Sequence, residues 1–161
     1  IDGLLSFGSS YHSVIIDNND ALTNVGGLRS LGYARSLQIT NNPSLTHVSD
    51  LGSQLILDDL IISGNDALTD IDGFANIEEC YDLTISNNAT LAHLGQLSND
   101  TFIYYDVFIQ DNASLCEDDA VNFAANCRVG YTFETGPPVW PIPSCTIAGT
   151  MNTSNNVGAC P

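Results

Sequence analysis

Apolar residues along this chain follow two periods at once. Within short segments they alternate, as in Val14-Ile15-Ile16, Leu37-Gln38-Ile39, Leu60-Ile61-Ile62, Leu83-Thr84-Ile85 and Val107-Phe108-Ile109, and the segments recur at separations of 23, 23, 23 and 24 residues. Each copy reads L-x-I-x-x-N-x-x-L, with Leu or Val opening it. A further apolar residue follows at Val25, Val48, Ile71 or Leu94, and another at Leu28, Leu51, Phe74 or Leu97. Alternation with a period of two predicts a short strand whose first and third residues face inward. Repetition at a fixed interval of 20 to 50 residues is the mark of a solenoid, so successive strands are expected to stack as a parallel sheet.

An extended strand cannot close a coil, and the recurring Asn19, Asn42, Asn65, Asn88 and Asn112 stand where each turn begins. A buried amide there would satisfy backbone groups of neighbouring coils, so an asparagine ladder is expected. Ile1-Asp2-Gly3-Leu4 matches Ile71-Asp72-Gly73-Phe74, which makes residues 1–13 the back half of a coil that lacks its own strand. The period breaks after Leu115. From Cys116 to Cys127 acids lead and Ala120, Val121, Phe123 and Ala124 follow, as in a short helix, with Cys116–Cys127 expected to bridge its ends. Residues 128–144 carry Gly-Pro-Pro-Val-Trp-Pro-Ile-Pro, an extended proline-rich arm. Residues 145–161 hold a last copy, Met151 to Asn156, expected to be tied by Cys145–Cys160. The prediction is a single mainly-β domain over 1–161, with repeat coils 1–115, helix 116–127, arm 128–144 and final coil 145–161.

The 23-residue pattern, the cysteine-flanked helix and the closing Gly149-Thr150…Ser154-x-Asn156…Cys160 segment resemble the receptor L domain, a leucine-rich-repeat-like family, over nearly the whole chain. That resemblance implies a right-handed β-solenoid used outside the cell for binding or architecture, with no catalytic residues to carry over. The family's cysteine-bearing N-terminal cap has no counterpart in Ile1-Asp2-Gly3.

Composition narrows the partners. With 19 acidic residues against three arginines and no lysine, the formal net charge is −16, while 43% hydrophobic residues are too many for a disordered acidic tail. Nucleic acid and anionic membrane surfaces are excluded as partners by charge. No apolar run is long enough to insert in a membrane and no signal-like segment is present. Five cysteines without a CxxC pair point to disulfides, and with the sequons at Asn88, Asn99, Asn112 and Asn152 they point to a secreted or cell-surface glycoprotein. Asn88 and Asn112 belong to the ladder, which leaves Asn99 and Asn152 as glycan acceptors.

Candidate chemistry is sparse. G-x-S-x-G, HExxH and phosphate-loop motifs are missing, and adjacent acids such as Asp58-Asp59 and Glu78-Glu79 do not by themselves make a glycosidase pair, so the chain reads as non-enzymatic with no cofactor. Asn24, His47, Asp70 and His93 should stack on successive coils, but a straight column does not converge on a metal as zinc requires. No acidic spacing matches a calcium loop. Outward strand positions contain three large apolar side chains, Ile15, Ile61 and Phe108, readable either as a protein-binding face or as ordinary strand preference. Cys80 aligns with Tyr11, Ala34, Leu57 and Tyr104, which suggests a buried thiol; the other reading is a bridge between subunits. Trp140 on the proline arm could also reach a neighbouring subunit. Two functions follow as expectations: an extracellular module binding a protein or glycan, or a self-assembling subunit of an extracellular filament or surface layer, built through open sheet edges and non-closing contacts.

Overall fold

A computed structural model of the protein describes residues 9–49, 51–52, 55–95, 101–116, 118, 120, 128–129, 151–152 and 156. The chain is a β-solenoid of about four turns with coils of about 23 residues. Its strands are β1 (Ser9–Asp17), β2 (Tyr33–Thr40), β3 (Leu55–Ser63), β4 (Ile77–Ser86), β5 (Phe102–Ile103), β6 (Val107–Gln110), β7 (Arg128–Val129) and β8 (Met151–Asn152). All pairings are parallel. β1, β2, β3 and β4 follow one another, and then the sheet divides, with β5 and β7 continuing one half and β6 and β8 the other.

The strands are longer than the L-x-I segments alone imply, because each continues backwards through a corner. In β3, Leu55, Leu57, Leu60 and Ile62 are buried, while Asp58 and Asp59 lie side by side between the two inward pairs. A strict period of two would bury one of those aspartates, so the backbone turns there and the strand presents two facets. In the fifth coil the extra residue falls at this corner and splits the strand into β5 and β6 around Tyr104, Tyr105 and Asp106.

Inward positions stack in columns. Ala34, Leu57, Cys80 and Ile103 form one, Leu37, Leu60, Leu83 and Val107 a second, and Ile16, Ile39, Ile62, Ile85 and Ile109 a third. The leucines after the ladder, Leu45, Leu68, Leu91 and Leu115, close the core from the turn side. Two short 3-10 turns, Gly26–Leu28 and Asp72–Asn76, carry the chain round the back. Gly52 is buried there, and the position takes glycine because a Cβ would collide with the Leu31 carbonyl of the preceding coil. Of the helix expected over 116–127, Asp118 and Ala120 are described and helical, with the Ala120 amide donating to the Cys116 carbonyl at 3.2 Å.

Candidate functional site: the outer face of the sheet

Each strand hands over to its turn through one residue in the left-handed region: Asn18 (φ 59°), Asn41 (54°), Gly64 (69°), Asn87 (56°) and Asp111 (58°). Asn, Asp and Gly are the types that tolerate this conformation, and their recurrence just before the ladder asparagine was a readable signal that the L-x-I-x-x-N pattern passes over. The ladder residue then opens a β-turn, with the amide of the leucine three residues on donating to its carbonyl, as from Leu45 to Asn42 and from Leu68 to Asn65, at 3.1 and 3.0 Å. The N-x-x-L spacing is therefore the spacing of that turn.

The ladder itself runs through the whole stack. The amide and Nδ2 of Asn42 donate to Asn65 Oδ1, those of Asn65 to Asn88 Oδ1, those of Asn88 to Asn112 Oδ1, and those of Asn112 to Asn156 Oδ1, at 3.0 to 3.3 Å. Each Nδ2 also reaches the isoleucine carbonyl one coil back, Ile16, Ile39, Ile62 or Ile85. Asn42, Asn65, Asn88 and Asn112 are fully buried, and no buried side-chain polar atom among the described residues lacks a partner. Asn19 differs from the expectation of a buried residue: it donates to Asn42 Oδ1 but is exposed.

Outside the core, Ile15, Gln38, Ile61, Thr84 and Phe108 fall on one rung line, with Asn152 next in register. Ile15 is 60% exposed, and Ile61 and Phe108 are half-buried, so these three share one outward column. Beside them Thr40 Oγ1 and Asn41 Nδ2 donate to Asp17 Oδ1 at 2.6 and 2.9 Å and hold its carboxyl below the ordinary 3.8.

The other facet is aromatic, which periodic alignment missed. Tyr81 stacks on Tyr104 with ring centroids 4.7 Å apart, Tyr105 tilts against Tyr81 at 5.5 Å, and Tyr11 meets Tyr33 at 5.6 Å. Tyr11 and Tyr104 therefore do not belong to the Cys80 column. A register shift between Ser10 and Ser13 in β1 turns Tyr11 outward, and Cys80 pairs with Ile103, which places Tyr104 on the outside. The five tyrosines among the described residues thus form two ring groups, a Tyr11–Tyr33 pair and a Tyr81–Tyr104–Tyr105 cluster.

Cys80 is a buried free thiol, 1% exposed, whose Sγ donates to the Asp82 carbonyl at 3.1 Å. Burial, reinforced by Asp82, holds it strongly protonated, so neither exposure nor reactivity fits a bridge to another subunit, and that reading is corrected. Cys116 is buried and disulfide-bonded. Cys127, Cys145, Cys160, Trp140 and Asn99 lie outside the described residues, and of Asn152 only the backbone register is described.

Asn24, His47, Asp70 and His93 do stack, through parallel bridges, and His47 Nδ1 lies 2.7 Å from Asp70 Oδ2. Among the described residues no group of three potential ligands converges on a metal position, and no helix is long and apolar enough to cross a membrane. Comparison with known proteins finds no matching family model, curated protein or solved structure.

Proposed function

We propose that the protein is a non-enzymatic interaction module that works outside the cell, engaging a protein or glycan partner with the outer face of its sheet. The observation that carries this reading is the register: Ile15, Ile61 and Phe108, far apart in sequence, share one outward column of a rigid parallel sheet. The three recur on every second rung, with Gln38 and Thr84 between them, and an apolar row of this kind on an outer face favours docking more than the same residues scattered at random. The resemblance to receptor L domains, the five cysteines and the sequons support an extracellular setting. Glycans at Asn99 and Asn152 and a Cys145–Cys160 closure belong to the same reading.

The test is adhesion of chain-coated beads to cultured cell layers, comparing the native chain with an Ile61→Asp/Phe108→Asp variant that melts at the same temperature. Adhesion should fall at least tenfold in the variant; equal adhesion would sink the proposal. A second reading, self-assembly into a filament or surface layer, is favoured by exposed Tyr11 and Ile15 on the outermost described strand, at 81% and 60%. Sedimentation across a hundredfold concentration range separates the two, giving a monomer for the first and growing polymers for the second.

A further inference from the structure

The tyrosine facet has a chemistry of its own. Along the first half of the strands, Arg35, Asp58 and Tyr81 stand on successive rungs, since Ala34, Leu57 and Cys80 pair just before them and Ser36, Asp59 and Asp82 just after. Tyr104 follows Ile103, the partner of Cys80. Tyr105, the extra residue of the fifth coil, is 55% exposed, and its backbone N–H donates to the Tyr81 carbonyl at 2.8 Å. Burial first, and then the negative charge of the neighbouring Glu79, raises the Tyr104 phenol above its ordinary value.

Negative charge here is undercompensated. Asp59 is pushed above the ordinary carboxylate range, first by burial and then by Asp82 and Asp58, with Arg35 only partly opposing. Arg35 makes no ion pair within 4 Å among the described residues. A cation placed over the rings would meet electron-rich faces and would also relieve carboxylate repulsion. Lysine and arginine side chains supply such a cation on an extended chain, which can lie along parallel rungs. A neutral glycan would stack on tyrosine but would leave the repulsion in place, and an anionic lipid surface would be repelled.

We propose that Tyr81, Tyr104 and Tyr105, bordered by Glu79, Asp58 and Asp59, form a docking surface for a lysine- or arginine-rich segment of a partner protein. This rests on the interaction-module reading for the claim that the occupant is a protein, and it adds the partner's chemistry and a second facet.

The test titrates the full chain with a hexa-arginine peptide by calorimetry in moderate salt, with hexa-citrulline and cellohexaose as neutral controls. The peptide should bind with one-to-one stoichiometry and both controls should fail. Tyr105→Ala, which leaves charge unchanged, should weaken binding about fivefold or more, while Tyr105→Phe stays within about twofold. Asp58→Asn should weaken binding more than Asp66→Asn, which removes the same charge from an exposed turn elsewhere. Should a variant fold poorly, the ring resonances of Tyr81, Tyr104 and Tyr105 in the native chain still decide, because they must shift on adding peptide. Equal small effects of Tyr105→Ala and Asp66→Asn would reduce the attraction to diffuse charge and overturn the proposal, as would unmoved ring resonances or binding of cellohexaose alone. Bead adhesion insensitive to Ile61→Asp/Phe108→Asp, with hexa-arginine binding intact, would instead count against the broader reading while leaving this surface in place.

Discussion

The same residue type plays different parts along this chain, according to burial. Asn65 has its amide and carboxamide committed to Asn88 Oδ1, Ile39 O and Ser63 O, and its own Oδ1 receives Asn42. Replacing it with alanine strands several buried donors and acceptors at once, each worth about 1–3 kcal/mol when left unpaired. Asn19 makes the bonds to the next ladder residue and to the carbonyl two residues back but, among the described residues, not one corresponding to Asn65 Nδ2–Ile39 O, and it stands in solvent, where water replaces what is lost. In chemical unfolding, Asn65→Ala should lower stability by about 3 kcal/mol or more and Asn19→Ala by about 1 kcal/mol or less. Equal effects would mean that the ladder is not the internal brace described. Cys80 shows the corresponding lesson for a thiol: surrounded by the aliphatic column of Leu57, Ala34 and Ile103, it behaves as a small apolar residue.

At the scale of the strand, the corner matters most. Asp59 and Asp82 lie in register there, and Asp58 adds to their repulsion. Because the folded state raises the Asp59 carboxyl above the ordinary 3.8, its charged form opposes folding at neutral pH. The penalty fades as pH falls through the raised value and is gone below 3.8. Asp17 works in the other sense: its lowered value contributes stability above 3.8 that is lost as pH falls through the folded value. Asp59→Asn should therefore raise the melting temperature at pH 7 and lose that gain near pH 3, whereas Asp17→Asn should lower it at pH 7; a melting series from pH 7 to 3 checks both signs. The alternating L-x-I segments, the turn asparagines and the column of Ile15, Ile61 and Phe108 were legible in the sequence, because each follows from a period of two inside a period of 23. The second facet was not. Its side chains are set by a register shift near Ser13 and by where the 24-residue coil places its extra residue, and neither leaves a mark in a repeat alignment. Tyr11 and Tyr104, aligned on Cys80 by counting alone, were misread for that reason.

Across the whole molecule, one stack of coils joins core, ladder and surface. Inward columns supply the apolar burial, and the asparagine ladder leaves no buried side-chain polar atom among the described residues without a partner. Outward positions are thereby freed from core packing and form two facets, one carrying Ile15, Ile61 and Phe108 with Gln38 and Thr84 between them and one rich in tyrosine. A net charge of −16 is compatible with this arrangement because the inward columns are apolar, Asp58, Asp59 and Asp82 sit at the strand corner, and Asp17, Asp20, Asp66, Asp72 and Asp111 lie at exposed turns and coil edges. Every functional proposal depends on residues one coil apart in sequence being neighbours in space. Electron–electron distance measurement on an Ile15→Cys/Phe108→Cys pair, spin-labelled under native conditions in which buried Cys80 stays unreactive, tests that dependence most directly. Four rungs of a parallel sheet at about 4.8 Å each predict a single narrow distribution centred at roughly 20 Å. A mean beyond about 30 Å, or a broad featureless distribution, would contradict the stacked register on which that rung spacing rests.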